Sequence, residues 1–288
     1  MPAGRLLHAC TRDPSPTGDR GHPRIVGPVQ LALQGRSAFV TGGTKGIGLA
    51  SARALAAEGA AVTICARTEA DVSRAVDELQ RLSSDTRVHG VTCDVTDADA
   101  VEGAIAAAVD VHAGLDIVVN NAGGATPGSF EQLTNTAWQR DVEIKLFSQV
   151  NVVRAALPAL RRSSAPRIIN IGAVYATSPD ASFFASSVTR AACHNLTKVL
   201  AQELGPSGIL VNSVNVGLID TPQWDSLWQA KAPETPREEF VKSLARDSIP
   251  LGRFGKAGEV AGVVAFLAGD RASYITGAAI DVAGGMGA

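Results

Sequence analysis

The chain has 288 residues, 45% of them hydrophobic, and a formal net charge of −2 at pH 7. This length and apolar share suffice for one α/β domain with a sizeable core, and the near-neutral charge argues against a nucleic-acid partner. No apolar run approaches the ~20 residues that a membrane-spanning helix needs, so no membrane association is predicted.

The N-terminal segment differs from the rest of the chain in composition. Residues 1–32 are rich in Pro, Gly, Arg and Asp, show no periodicity and lack the apolar centre of a secretory signal. They are predicted to form a disordered tail before a single domain over 33–288. The cysteines are scattered and form no CxxC pair, which predicts reduced thiols in a cytoplasmic protein and no metal site. They are Cys10, Cys65, Cys93 and Cys193.

The first regular segment is a βαβ unit. Residues 37–40 predict a strand, 49–58 an alanine-rich helix and 61–66 a second strand. Glycines between the first strand and the helix let the backbone turn tightly and approach a pyrophosphate at the helix N-terminus. This loop supplies the first predicted cofactor-binding residues, which are Gly42, Thr44, Lys45, Gly46, Ile47 and Gly48.

Helices and strands alternate over the rest of the chain. The predicted helices are 71–82, 97–112, 137–161 and 182–204, and the predicted strands are 88–92, 116–119, 167–171, 209–214 and 279–282. This alternation predicts a Rossmann-type, doubly wound parallel sheet with helices on both faces, in a single α/β domain. Ligands then bind beyond the carboxyl ends of the strands.

Short motifs follow these elements in a fixed order. They are Cys93-Asp94-Val95, Asn120-Asn121-Ala122-Gly123, Ile249-Pro250-Leu251-Gly252-Arg253-Phe254-Gly255 and Tyr274-Ile275-Thr276-Gly277. Together with the glycine loop they resemble the short-chain dehydrogenase/reductase family, from about Leu33 to Gly285. The resemblance implies a nicotinamide cofactor, a small-molecule substrate and a homodimer or homotetramer.

The resemblance also implies a mobile lid over 223–247, the most irregular stretch of the sequence. Trp224, Leu227 and Trp228 in this segment either line an apolar substrate pocket or pack the lid onto the domain.

The end of the second strand predicts NADP as the cofactor. An NAD-preferring site usually places an acidic residue where this chain has Ala66, and Arg67 follows it, with Lys45 in the glycine loop. A guanidinium binds a 2′-phosphate with paired donors, whereas a carboxylate repels it. The alternative is that Arg67 is a solvated surface charge. The resemblance implies that the other cofactor-binding residues are Asp94, Val95, Asn121, Gly123, Arg190, Gly217, Ile219 and Thr221.

The family's proton relay of Asn, Ser, Tyr and Lys is missing. Flanking residues assign its four positions, in that order, to Lys145, Ala173, Ser186 and Arg190. No tyrosine lies between Tyr175 and Tyr274. A serine hydroxyl is a far weaker acid than a phenol and arginine stays protonated, so this pair cannot directly reproduce the relay.

Four residues are therefore the candidates for an atypical catalytic group: Lys145, Ser186, Arg190 and Tyr175. Two cations near the reacting centre suit a developing anion, which favours an activated enoyl substrate over a small or medium apolar carbonyl. The alternative for Lys145 is that it extends to solvent. Tyr175 is either a replacement acid or packs against Phe183 or Phe184.

Two other functions stay open. The chain is either a catalytically silent nucleotide-binding member that acts as a sensor or partner, or a dehydratase, isomerase or cyclase that reuses the pocket.

Overall fold

The computed structural model of the chain describes residues 30–82 and 87–287. Most of the tail predicted over 1–32, including Cys10, lies outside them. The strands are β1 (Ser37–Thr41), β2 (Ala61–Ala66), β3 (Val88–Thr92), β4 (Ile117–Asn120), β5 (Arg167–Ala173), β6 (Leu210–Val216), β7 (Ile219–Asp220), β8 (Gly255–Lys256) and β9 (Ala279–Val282). The α-helices are α1 (Gly46–Ala57), α2 (Glu69–Gln80), α3 (Ala98–His112), α4 (Asn135–Val142), α5 (Ser148–Leu160), α6 (Phe184–Leu204), α7 (Gln223–Lys231), α8 (Arg237–Ser248) and α9 (Ala257–Ala268).

Seven of the described strands form one parallel sheet in the order β3-β2-β1-β4-β5-β6-β9. The order reverses between β1 and β4, so the loops after these two strands open at one place on the carboxyl edge. Helices cover both faces, and the chain from Leu31 onward forms one compact unit. The Rossmann-type fold predicted from the alternation of elements is confirmed.

The side chains of β1 alternate between two apolar cores. Ala38 and Val40 pack on the face covered by α1 and α9, where Val264 lies, whereas Phe39 packs on the opposite face with Ile105 of α3. Because both faces of the sheet are buried, the strand is a continuous apolar run instead of an alternating one. These cores hold the carboxyl end of β1 in place under the glycine loop.

The loop between β1 and α1 depends on glycine at three positions. Gly42 and Gly46 have φ of +62° and +55°, which L side chains rarely adopt. A Cβ added to Gly48 would lie 2.2 Å from the carbonyl oxygen of Gly42 and 2.4 Å from the side-chain amide of Asn121. No side chain fits at Gly48 unless the loop moves.

We expect Gly48→Ala to lower the free energy of unfolding by about 1–3 kcal/mol, because the new methyl group overlaps the loop backbone. Thermal unfolding measures the change. The matched control is Gly262→Ala in α9, where an added Cβ meets nothing within 4 Å. There the better helix propensity of alanine should leave the protein equally stable or stabilise it by about 0.5–1 kcal/mol. Equal effects of the two substitutions would contradict the steric explanation.

The prediction of one helix over 137–161 is wrong in one respect. A π turn, Glu143–Phe147, separates α4 from α5, and the amide of Ser148 donates to the carbonyl oxygen of Glu143, five residues back. A π turn inserts one extra residue into an α-helix and is frequent at functional sites. Lys145 lies in the middle of this turn, and its side chain is buried.

The segment 223–247 is helical, although the sequence predicted an irregular stretch. It contains α7 and most of α8. Trp224 is 8% exposed and its ring lies against Phe254, with centroids 5.1 Å apart, while Leu227 packs on the same cluster. The indole N–H of Trp228 donates to the carbonyl oxygen of Thr235 at 2.7 Å. These contacts agree with the alternative in which the three residues pack the segment onto the domain.

Candidate active site

The N-terminus of α1 faces the switch point of the sheet and is open to an anion. Lys45 precedes the helix, and no side chain caps the first N–H groups. Free N–H groups and the helix dipole together favour a phosphate at such a terminus. Thr221 lies close by, since its methyl carbon is 3.2 Å from where a Cβ on Gly46 would stand. The residues present therefore fit a dinucleotide whose pyrophosphate lies on this loop.

Asn121 fixes the shape of the glycine loop from the end of β4. Its side-chain amide donates to the carbonyl oxygens of Thr41 at 2.9 Å and Gly42 at 3.1 Å. The Thr41 hydroxyl in turn accepts from the amides of Asn121 and Ala122. Both amide protons of the Asn121 side chain are thus used within the protein. The side-chain oxygen of Asn121 is left as an acceptor for the ribose contact that the sequence implies.

The adenosine end of the predicted cofactor cleft carries exposed cations and a buried pair of thiols. Arg67 and Lys45 are both exposed. Burial raises the pKa of the Asp94 carboxyl, but hydrogen bonds from Thr96 and the nearby charge of Arg67 outweigh burial and leave this pKa below its usual value. Cys65 and Cys93 are buried free thiols close to this end. Arg67 therefore stands beside the residues predicted to hold the adenosine.

Three of the four residues predicted for the catalytic group, Lys145, Ser186 and Arg190, come together. The side chain of Lys145 is 1% exposed and that of Asp141 is 0% exposed, and the ammonium donates to the Asp141 carboxylate. The same ammonium donates to the Ser186 hydroxyl at 2.7 Å. The alternative in which Lys145 extends to solvent is therefore wrong. Sequence reasoning missed Asp141, for which the available signal was its i, i+4 spacing from Lys145.

The Ser186 hydroxyl is left with its own proton free to donate. A hydroxyl has one donor and two acceptor lone pairs. The oxygen accepts from Lys145 and from the backbone amide of Thr126 at 3.0 Å, so both lone pairs are used. Its nearest acceptor is the carbonyl oxygen of Thr126 at 3.5 Å, at the limit for a hydrogen bond. A substrate oxygen that approaches Ser186 meets a hydrogen-bond donor.

Arg190 forms the wall of the site next to this group. It is partly buried, and one guanidinium nitrogen donates to the carbonyl oxygen of Ile171 at 2.7 Å. The other terminal nitrogen lies 3.4 Å from where a Cβ on Gly123 would stand. Ala173, which the sequence predicts at the position of the family's serine, lies at the end of β5 and adds no polar side chain.

Burial tunes the acidity of the lysine. The pKa of Lys145 is lowered to about 8, chiefly by burial and next by the positive charge of Arg190, while Asp141 opposes both. The backbone of Lys145 is also held, since the Cys193 thiol donates to its carbonyl oxygen at 3.4 Å. A donor with a pKa near the working pH is suited to general acid–base catalysis.

Tyr175 lies apart from these contacts. Its ring stacks on Phe183 with centroids 5.2 Å apart, which agrees with the packing alternative. Burial, with a smaller contribution from the negative charge of Asp180, raises the pKa of Tyr175 to about 12. The phenol is therefore a weaker acid here than in water, and a role for it as proton donor stays a prediction.

The doubly wound sheet and the anion-binding loop at its switch point define an oxidoreductase that binds a nicotinamide dinucleotide. The chain belongs to the short-chain dehydrogenase/reductase family, since the family model described as Enoyl-(Acyl carrier protein) reductase matches residues 41–287. In the part of the chain that the structure describes, no helix has both the length and the apolar character needed to cross a bilayer.

Known proteins resemble the chain over most of its length. Dehydrogenase/reductase SDR family member 4 of Oryctolagus cuniculus is 36% identical over 255 residues, which cover 88% of this chain and 94% of that protein. The structure of L-sorbose reductase from Gluconobacter frateurii, complexed with NADPH and L-sorbose, matches with a TM-score of 0.85 and 30% identity, covering 90% of this chain and 99% of that one.

A third similar protein is a short chain oxidoreductase from Pseudomonas aeruginosa PAO1, solved with NADPH bound and described as containing an atypical catalytic center. It is 36% identical with a TM-score of 0.82, and the match covers 87% of this chain and 96% of that one.

Proposed function

We propose that the protein reduces the carbonyl group of a small or medium substrate with NADPH, and that Lys145 and Ser186 together supply the proton. The observation that carries this proposal is the Ser186 hydroxyl, whose lone pairs are occupied by Lys145 and Thr126 while its proton has only a long, 3.5 Å contact to the Thr126 carbonyl oxygen. Carbonyl reduction needs a proton at the substrate oxygen, where this hydroxyl can donate.

The proposed mechanism uses three groups of the chain. The cofactor, when bound, supplies a hydride to the carbonyl carbon. Ser186 gives its proton to the carbonyl oxygen as negative charge develops there, and a proton of the Lys145 ammonium moves to the Ser186 oxygen. Arg190, held by the Ile171 carbonyl, stabilises the developing charge from the side. Lys145 regains a proton from water once the product has left.

Asp141 changes the expected balance between carbonyl and enoyl substrates. The enoyl prediction was based on two uncompensated cations near the reacting centre. Because the Asp141 carboxylate pairs with Lys145, the group of Asp141, Lys145 and Arg190 carries one net positive charge. This single charge and the proton of the Ser186 hydroxyl support carbonyl reduction. A similar protein, L-sorbose reductase, was solved with L-sorbose, a ketose, which also supports a carbonyl substrate. Enoyl reduction is the second candidate, because Arg190 can still stabilise an enolate.

NADP is the proposed cofactor because Arg67 and Lys45 are the exposed cations at the adenosine end of the cleft. Complexes of two similar proteins with NADPH support this choice. A homodimer or homotetramer in the cytoplasm stays a prediction from the sequence.

The choice between the two nucleotides can be measured directly. We expect NADPH to bind more tightly than NADH, and Arg67→Ala to weaken NADPH binding by roughly 10–100-fold, since a hydrogen bond to a charged group contributes about 1.5–3 kcal/mol. NADH affinity should change little. Fluorescence titration gives both constants, with Arg74→Ala on the exposed face of α2 as the control. Equal affinities for the two nucleotides in the parent protein would rule out the proposed preference.

The reaction itself is tested by NADPH consumption against paired panels of ketones and enoyl thioesters of matched chain length. Turnover of ketones supports the proposal, and turnover of enoyl thioesters alone overturns the choice of a carbonyl. Tight NADPH binding without turnover of either panel favours the silent sensor. Conversion of a substrate without NADPH oxidation favours the non-redox enzyme.

A further inference from the structure

We propose that Asp141 is a positioning residue for this reduction, whose carboxylate holds Lys145 against Ser186 and keeps the lysine protonated. This inference rests on the proposed function, because it assigns Asp141 a role through the proton donor. Nothing in the sequence motifs points to Asp141, which is an acidic residue near the start of the predicted helix 137–161.

Among the described residues, Lys145 is the one hydrogen-bond partner of the Asp141 carboxylate. Asp141 lies in the last turn of α4 and Lys145 in the π turn that follows, and both side chains are at most 1% exposed. One carboxylate oxygen of Asp141 accepts from the ammonium. The other oxygen, Oδ2, is buried and has no partner among the described residues. A buried carboxylate with an unsatisfied oxygen is costly, so its placement needs a compensating interaction.

The charges around Lys145 show what the carboxylate compensates. Three residues of α6 surround Lys145: Arg190 with a positive charge, Cys193 with a thiol and Ser186 with a hydroxyl. Asp141 of α4 adds a negative charge. Burial and Arg190 both favour the neutral amine. Asp141 opposes them, and without it Lys145 would lose its proton at lower pH.

The carboxylate also orients the ammonium. An ammonium has three donors on a flexible side chain. Because one donor is fixed on Asp141, another points at Ser186 at 2.7 Å. Removing the charge should therefore affect both the acidity and the direction of the donor, while the cofactor loop stays unchanged.

The test is the pH profile of kcat for Asp141→Asn, measured with the substrate that the parent protein reduces. In the parent protein, kcat should fall as pH rises through about 8, because the donor must be protonated. In Asp141→Asn this fall should move to lower pH by about one unit or more, and kcat at pH 7.5 should drop about tenfold. The Kd for NADPH should stay within about twofold of the parent value, since the residue acts only through Lys145.

Two further variants separate a charge effect from a packing effect. Asp141→Glu restores the carboxylate. It should recover part of kcat and return the fall in kcat most of the way to the pH seen in the parent protein. Glu143→Gln makes the same type of change at an exposed position two residues from both Asp141 and Lys145 and should leave the profile unchanged. A lower kcat with an unshifted profile in Asp141→Asn would overturn the inference, as would an unchanged kcat.

Thermal unfolding keeps the inference testable if Asp141→Asn folds poorly. Lys145→Met leaves Asp141 buried without its cation and should lower Tm, and adding Asp141→Asn should raise Tm again. A further loss of Tm in the double variant would overturn the pairing. If kcat of Lys145→Met still falls near pH 8, Lys145 is not the proton donor and the proposed function fails. If that fall is lost in Lys145→Met but stays at the parent pH in Asp141→Asn, only the inference about Asp141 fails.

Discussion

Replacing Lys145 with methionine should lower kcat by about 10²–10⁴, the usual contribution of a general acid, and change the Kd for NADPH by less than about threefold. Methionine fills a similar volume but carries no proton. Lys145 is buried behind Ser186, so it acts on the chemical step and not on the dinucleotide. Steady-state kinetics and fluorescence titration measure the two effects, with Lys198→Met on the exposed side of α6 as the control.

The pH profile of this variant gives a second, independent signature. In the parent protein kcat should decrease above pH 8, as Lys145, whose pKa is about 8, loses its proton. That decrease should be absent in Lys145→Met, in which no amine titrates at this position. Because this substitution leaves the Asp141 carboxylate unpaired, at a cost of about 3–5 kcal/mol, the kinetics are best repeated with Asp141→Asn added. An unchanged kcat in either background would exclude Lys145 as the proton donor.

Replacing Ser186 with alanine should also lower kcat by about 10²–10⁴, because in the proposed mechanism this hydroxyl gives the proton to the substrate oxygen. Residues that act as one unit are strongly non-additive. We therefore expect the double variant Ser186→Ala/Lys145→Met to be no slower than the slower of the two single variants. Steady-state kinetics of the three variants on the same ketone tests this.

The neighbouring serine provides a matched control for this substitution. Ser187 is also buried on α6, but its hydroxyl bonds to the backbone of Asp180 and not to Lys145. Ser187→Ala should keep kcat within about threefold of the parent value. If the losses of Ser186→Ala and Lys145→Met simply multiply in the double variant, the two side chains act separately and the relay between them is wrong.

The sequence predicts the fold well because its signals are local. The apolar runs of β1 and β4 identify buried strands, and the glycines at 42, 46 and 48 identify the turn from β1 into α1. The assignment of Lys145 and Ser186 to neighbouring positions is supported by their hydrogen bond. These features depend on residue type and spacing alone.

The features that the sequence misses depend on contacts in three dimensions. The π turn at Lys145 leaves the apolar spacing almost unchanged, so α4 and α5 resemble a single helix. An acidic residue such as Asp141 is expected on the solvent-facing side of a helix. Its buried position is explained by the Lys145 ammonium beside it. The helices α7 and α8 pack on a cluster that brings Trp224 of α7 and Ala245 of α8 together with Phe254, and these contacts between segments have no local signal in the sequence.

The buried pair of Asp141 and Lys145 also constrains how this active site can evolve. If Lys145 returned to asparagine, the residue usual at this position in the family, Asp141 would be left as a lone buried anion. If Asp141 were lost first, Lys145 would face Arg190 without a counter-charge. Each single step passes through a less stable protein. The two residues should therefore be gained and lost together among descendants of this chain.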